Sequence, residues 1–192
     1  MGISVIMPSY LGEYKGCATN RIKKLERAIN SFLKQNFGEL VVVSDGCFET
    51  TKIVESFNKE KIKLIQLPKQ PLFSGLPRQI GIMNSSNKWI TYLDSDDEFG
   101  DNHLMNIINN LDENYDWFYY DDFMGKAEKR RISSIEINKI GTSCIIHKKN
   151  VNAIWNNGYG HDWEFIKQLG EKYKKIDGMK YIVHHIPGVL DD

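Results

Sequence analysis

Four strand-like runs limit the fold more than any other feature of the chain: Ile3 to Met7, Leu40 to Val43, Ile62 to Leu67 and Trp89 to Leu93. The first does not alternate between apolar and polar residues, and the second is β-branched. Such runs suit strands buried on both faces, as in a parallel sheet. Helical spacing separates them. Ile22, Leu25, Ala28, Ile29, Phe32 and Leu33 recur on one face behind Asn20, a residue suited to an N-cap. Ile53, Val54 and Phe57 mark an inner face over 50–57. Pro77 suits the first turn of a third helix reaching Asn84, and Leu104, Ile107, Ile108 and Leu111 mark a fourth over 100–110. The order β-α-β-α-β-α-β-α with short links predicts an α/β half of the nucleotide-binding type.

The second half reads differently. Trp117 to Phe123 is aromatic and strand-like, and Glu128 to Arg131 is a charged turn or exposed edge. Strands are expected at Ile132 to Ile140 and Cys144 to Ile146, and a short helix at Asn150 to Trp155. Asn156 to Gly160 reads as a flexible loop, and so does Gly12 to Thr19. Asp162 falls where a helix begins, with Phe165, Ile166 and Leu169 on its inner face. Tyr173 to Ile186 supplies one or two strands. The expectation is one domain over 1–192, with a mostly parallel sheet flanked by helices and a smaller mixed or antiparallel C-terminal part.

Composition narrows the partners. Twenty-five Lys and Arg balance 25 Asp and Glu in 192 residues. A formal net charge of zero argues against a nucleic-acid partner and leaves room only for a local basic face at Lys126 to Arg131. Cys17, Cys47 and Cys144 form no Cys-x-x-Cys pair. They point to neither zinc nor a disulfide framework, and so to a reducing, cytoplasmic setting. No apolar run approaches a membrane span, and Gly2 to Ile6 reads as a strand, not a leader. Membrane contact would then be peripheral.

Chemistry gathers where strands end. Asp94 and Asp96 lie two apart at the end of the fourth run, with Asp97 and Glu98 next. Such crowding calls for a hard divalent cation or for solvent; a solvated acidic turn capping the next helix is the competing reading. Asp45 ends the second run, and open α/β sheets bind ligands at that edge. Pro8-Ser9-Tyr10 leaves the first strand as a loop, where Tyr10 can stack on a base. Arg78 stands at a helix N-terminus, opposes the macrodipole, and so needs an acidic side chain or a phosphate as partner. A nucleoside diphosphate fits the set. Asp45 meets base or sugar donors, and Mg2+ or Mn2+ on Asp96 neutralises the phosphates. Neither a Gly-x-Gly-x-x-Gly fingerprint nor a Walker A lysine loop follows strand one.

Pro8-Ser9-Tyr10, Val43-Ser44-Asp45-Gly46, the Gly75-to-Gly81 segment with Arg78, and Tyr92-Leu93-Asp94-Ser95-Asp96-Asp97 together resemble glycosyltransferase family 2. The resemblance covers the first 100 residues, and 140–170 more weakly. It implies a GT-A fold, a nucleotide-diphosphate sugar donor bound by 1–100, and an acceptor half over 101–192. It further implies inverting transfer to a glycan, lipid-linked or other hydroxyl acceptor. Asp45 would recognise base and ribose, and Pro8, Ser9, Tyr10, Arg78, Asp94 and Ser95 would line the nucleotide sugar. Asp96, with Asp94, would hold Mn2+ or Mg2+. Asp162 resembles the general base of the family's Glu-Asp pair, with His161 replacing the first acid. Ser143-Cys144 resembles part of an acceptor-side strand, and His184 or His185 would reach the metal. A retaining GT-A transferase, a nucleotidyltransferase and a non-catalytic nucleotide-sugar or glycan-binding module are the alternatives.

Overall fold

The computed structural model describes residues 2–57, 59–70 and 73–192, so Pro71, placed in the loop after the third run, lies outside them. Strands β1 (Ile3–Ser9), β2 (Glu39–Asp45), β3 (Ile62–Leu67) and β4 (Trp89–Tyr92) alternate with helices α1 (Arg21–Leu33), α2 (Phe48–Phe57) and α3 (Gly75–Asn84). Strand β5 (Glu98–Phe99) and helix α4 (His103–Asn110) follow. The rest comprises β6 (Trp117–Tyr119), β7 (Asp122–Met124), β8 (Lys129–Arg131), a 3-10 turn at Thr142–Cys144, β9 (Ile145–Lys148), α5 (His161–Ile166), a 3-10 turn at Lys167–Leu169, β10 (Tyr173–Lys175), β11 (Tyr181–Val183), β12 (His185–Ile186) and β13 (Leu190–Asp191).

The seven-stranded main sheet runs β10-β6-β9-β4-β1-β2-β3. Strands β3, β2, β1 and β4 are parallel, whereas β9 is antiparallel to both β4 and β6. A second sheet, β5-β11-β7-β8, and the hairpin β12-β13 complete the C-terminal part. The apolar runs lack alternation because both faces of this sheet are covered. Ile3, Val5 and Met7 enter one core with Leu25, Ile29 and Phe32 of α1, while Ile6 enters the other with Ile82 of α3 and Phe165 of α5. Leu40 and Val42 divide from Val41 and Val43 in the same way. Full burial of each such side chain is worth about 1.5–3 kcal/mol.

Pro8 does not stop β1. It stays in register with Val43, and Ser9 pairs with Ser44. The Ile6 carbonyl accepts from Leu93 N on the β4 side at 3.1 Å. Pro8, two residues on, faces the same side, where β4 has already ended, so its absent N–H forfeits no ladder bond.

Four expectations for local structure give way to tertiary bonds. Trp117 to Phe123 is not one strand but splits between β6 and β7, in different sheets. Ile132 to Ile140 is a loop and not a strand. The Asp121 carboxylate takes Ser133 N at 2.8 Å, Lys175 Nζ takes the Ser133 carbonyl at 2.9 Å, and Ile132 and Ile137 stay exposed. Asn150 to Trp155 forms no helix, because Gln168 Oε1 takes Ile154 N and Gln79 Oε1 takes Trp155 N. Asn20 adopts a left-handed φ of 49° and caps nothing with its side chain. The Gly12 to Thr19 loop is tethered as well, with the Gly16 carbonyl 2.9 Å from His185 Nε2. The basic face is neutralised in part, since Arg130 pairs with Asp121 and Arg131 with the buried Asp122.

Two buried histidines make folding sensitive to pH. His147 Nδ1 donates to its neighbour's carbonyl at 2.8 Å, and its Nε2 accepts from the Tyr92 hydroxyl, which itself accepts from Trp155 Nε1. His103 stacks on Phe99 and accepts from Lys180 N. Burial lowers the two rings to about 4 and about 3. Between these values and about 6.5 the unfolded chain binds protons that the folded one refuses, so this contribution is full above about pH 6.5 and is lost as pH falls. Asp96 and Asp97, held above the carboxylate range, act in the opposite sense. The variant His147→Gln isolates one term. Between pH 7 and pH 5 its urea-unfolding free energy should change by about 2 kcal/mol less in the destabilising direction than that of the wild type. Parallel pH curves would show that His147 ionises in the folded protein.

Candidate active site

The carboxyl ends of β1, β2 and β4 and the first turns of α3 meet at one edge of the sheet. Arg78, on α3 and only 4% exposed, is the hub. Its Nη2 pairs with Asp94 Oδ1 at 2.7 Å and lies 3.5 Å from Thr142 Oγ1. Its Nη1 bonds the Ser74 hydroxyl, approaches His161 Nε2 at 2.9 Å and lies 3.9 Å from Asp162 Oδ1. The guanidinium carbon sits 5.1 Å from the Trp155 ring centroid. Burial by itself would lower this cation's pKa; the charges of Asp94 and Asp162 outweigh it and raise it. The partner that the sequence required for Arg78 is therefore an acidic side chain, Asp94.

Asp162 belongs to the same network although it is distant in sequence. Burial would raise its carboxyl; the Arg78 charge overcomes that and holds it below the usual range. The Gly158 carbonyl, 3.1 Å from His161 Nδ1, can only accept, so Nδ1 carries hydrogen. In the neutral ring Nε2 is then an acceptor for Arg78 and offers nothing to Asp162 Oδ1, 3.0 Å away. That buried oxygen has no hydrogen-bond donor among the described residues. Gly141 lies beside the other oxygen, where a Cβ would stand 3.6 Å from it.

Asp45 ends β2 at the carboxyl edge of the sheet, but it is engaged. Lys69 Nζ binds one carboxylate oxygen at 2.8 Å and Gln70 N the other at 2.7 Å. The same ammonium lies 4.3 Å from the Tyr10 ring centroid. Gly46 permits this approach: its φ is +63°, and a Cβ there would come within 2.3 Å of Lys69 N. Ser9 points into the fold, with its hydroxyl 3.1 Å from that of Thr50.

At the acidic end, the Asp97 N–H closes a turn around Ser95 by donating to the Asp94 carbonyl at 3.1 Å. Asp97 does not support helix α4, since β5 intervenes. Its carboxylate accepts from the Tyr181 hydroxyl at 2.9 Å and from His184 N at 2.8 Å, tying β11 to the turn. Burial, then the charges of Asp96 and Asp94, raise it well above the usual range. Asp96 is raised by burial and then by Asp94, while His185 and Lys24 pull it down. His184 Nε2 is 3.2 Å from Glu98 Oε2. His185 Nδ1 is buried and makes no hydrogen bond among the described residues, although Asp191 Oδ1 lies 3.3 Å away. Among the described residues no three His, Cys, Asp or Glu side chains are gathered closely enough to hold a metal ion. The oxygen donors of Asp94 and Asp96 and the orphaned nitrogen of His185 nevertheless match the chemistry of a hard divalent ion.

Ser143 and Cys144 are structural. Both bond the buried carboxylate of Asp122, at 2.6 and 3.1 Å, and burial raises the thiol to about 12. Their neighbour Thr142 reaches the site instead, with Oγ1 3.4 Å from Asp94 Oδ2. Lys69, Trp155 and Tyr181 also reach it, and no local pattern distinguishes them.

Known proteins resemble this chain in sequence and in fold. The family model described as Glycosyl transferase family 2 matches residues 4–175. Poly(ribitol-phosphate) beta-N-acetylglucosaminyltransferase TarS of Staphylococcus aureus is 31% identical over 121 residues, 60% of this chain and 20% of that protein. An uncharacterized glycosyltransferase of Haemophilus influenzae is 33% identical over 119 residues, 59% of this chain and 43% of that protein. The chain thus spans less than half the length of these relatives. Among solved structures, S. aureus TarS 1-349 in complex with UDP-GlcNAc superposes with a TM-score of 0.75 at 20% identity, over 95% of this chain and 58% of that one. Mannosyltransferase PcManGT from Pyrobaculum calidifontis, in complex with GDP-Man and Mn2+, gives 0.73 at 10% identity, over 97% and 57%. At such identities the likeness is one of fold.

Proposed function

The chain belongs to glycosyl transferase family 2, and from that membership we propose that it moves a sugar from a nucleotide-diphosphate sugar to an acceptor hydroxyl, with inversion and with Mn2+ or Mg2+ at the Asp96 end. The observation that carries this reading is the single network in which Arg78 joins Asp94 to Asp162, while one buried Asp162 oxygen remains without a donor. Residues 1–100 serve chiefly the donor and 101–192 chiefly the acceptor.

Each side chain then has a task. Asp45 accepts from base and ribose once the Lys69–Gln70 segment yields its two bonds, and Tyr10 stacks on the base. Asp94 and Ser95 face the ribose and diphosphate, and Arg78 fixes Asp94. Asp96 and Asp94 would supply oxygen ligands to the cation, and the free Nδ1 of His185 would be the nitrogen available to join them; His184 is committed to Glu98. When bound, the cation stabilises negative charge developing on the departing diphosphate. Asp162, whose side chain is 35% exposed, takes the proton of the acceptor hydroxyl as that hydroxyl attacks C1 from the face opposite the diphosphate. His161, neutral and bonded to Arg78, keeps the guanidinium in place beside that carboxylate. A weak base suffices, because the hydroxyl becomes acidic as its bond to C1 forms.

The name of the staphylococcal relative specifies N-acetylglucosamine transfer, so UDP-N-acetylglucosamine is the first donor to test. A panel of nucleotide sugars, followed by calorimetry and by release of free sugar, should show binding and slow hydrolysis in Mn2+. The variant Asp96→Ala should weaken Mn2+-dependent donor affinity by about tenfold or more. Unchanged affinity would remove Asp96 from the metal site, and a wild type that neither binds nor hydrolyses any member would end the transferase reading. NMR of the product anomer tests inversion.

A further inference from the structure

Two aromatic rings stand in solvent beside Asp162 with no fold-stabilising task. Tyr159 is 93% exposed and Phe73 43% exposed. They meet edge to face at 6.4 Å, and Phe73 lies 5.7 Å from the His161 ring, whose Nε2 is 3.0 Å from the Asp162 carboxylate. Phe73 holds this place with a φ of 56°, a left-handed conformation that bulky residues rarely adopt. The two loops are fastened together behind the rings. Leu76 N donates to Asn157 Oδ1 at 2.7 Å, and Gly75 lets the Asn156 carbonyl so close that a Cβ would lie 1.8 Å from it. The rings are therefore borne on a braced ledge.

The chemistry of this ledge selects its occupant. From Asn150 to Gly160 there is no Asp, Glu, Lys or Arg, and Pro71 to Pro77 is equally uncharged. Arg78, which meets the ledge through His161, is buried and paired with Asp94. Among the described residues of these two segments a phosphate-bearing acceptor would find no positive partner, whereas guanidinium or ammonium groups are the usual phosphate binders. Exposed aromatic faces bordered by amides and carbonyls match instead a neutral sugar ring, with its apolar C–H face and its rim of hydroxyls. Resting on the transferase reading, we propose that Phe73 and Tyr159 form the acceptor subsite and that the acceptor unit stacked there is an uncharged pyranose, which presents one hydroxyl to Asp162.

Saturation-transfer NMR on the full chain, with aromatic protons irradiated, tests the proposal. The probes are methyl α- and β-pyranosides of glucose, galactose, mannose and N-acetylglucosamine, together with ribitol 5-phosphate and phosphatidylglycerol vesicles. UDP and GDP with Mn2+ are titrated in parallel. At least one pyranoside should bind; Tyr159→Ala and Phe73→Ala should each weaken it about tenfold, and Tyr159→Phe, which keeps the ring face, should bind as the wild type does. Binding of a nucleotide with no pyranoside bound would overturn the subsite and leave the transferase reading standing. So would pyranoside binding untouched by either alanine, or ribitol 5-phosphate or vesicles bound through these rings. Failure of both nucleotides to bind would strike the transferase reading itself, and pyranoside binding that persisted there and depended on the rings would mark a glycan-binding module.

Discussion

Replacing Asp162 by asparagine is expected to lower sugar transfer by about 10²- to 10⁴-fold while nucleotide-sugar affinity changes by less than about twofold. The size of the effect follows from what the amide keeps and what it loses. It keeps the volume of the carboxylate, so the ledge and the α5 start are undisturbed. It cannot take a proton from the acceptor hydroxyl. The Arg78 charge holds this carboxyl below the ordinary range against the effect of burial. Protonation of Asp162 should therefore begin to slow transfer only below about pH 4. Initial rates of the variant at saturating donor, with donor affinity measured separately, decide the matter. Transfer at the wild-type rate would move the base elsewhere.

The second large effect is on stability. Arg78→Met should destabilise the fold by about 2–4 kcal/mol, toward the range for breaking a buried ion pair and reduced because Asp94 and Asp162 are partly solvated. Methionine fills the aliphatic space but leaves Asp94 Oδ1 without its ionic partner and two acidic groups without the charge between them. Arg78→Lys should recover only part of the loss. A single ammonium cannot span Asp94 on one side and Ser74 and His161 on the other, as the forked guanidinium does. Chemical denaturation of the three proteins at pH 7 measures both differences. An unfolding midpoint for Arg78→Met equal to that of the wild type would mean that solvent already satisfies the acids. A fold kept intact at low temperature, with donor binding lost, would separate the electrostatic role from the structural one.

By itself the sequence determined the parallel half. Strands β1, β2 and β4 are buried on both faces, the edge strand β3 is half-buried, and helices α1 to α3 are buried on one face, so a period or a continuous run is written directly into neighbouring residues. Strand ends also follow from such runs, which is why Asp45, Asp94 and Asp96 could be assigned to one edge before any coordinates. Only the tertiary structure decided the rest. The antiparallel insertion of β9 between β4 and β6, the division of Trp117 to Phe123 between two sheets, and the loops at 132–140 and 150–155 depend on partners far along the chain. Gln79, Gln168 and Lys175 supply bonds that propensity would have given to local helix or ladder. Arg78 meets Asp162 only because α3 and α5 pack on the same face of the sheet. Which acid pairs with Arg78, and which carboxylate oxygen of Asp162 is desolvated, are consequences of that packing, since charge pairing and desolvation are set by distance in space and leave no trace in residue order.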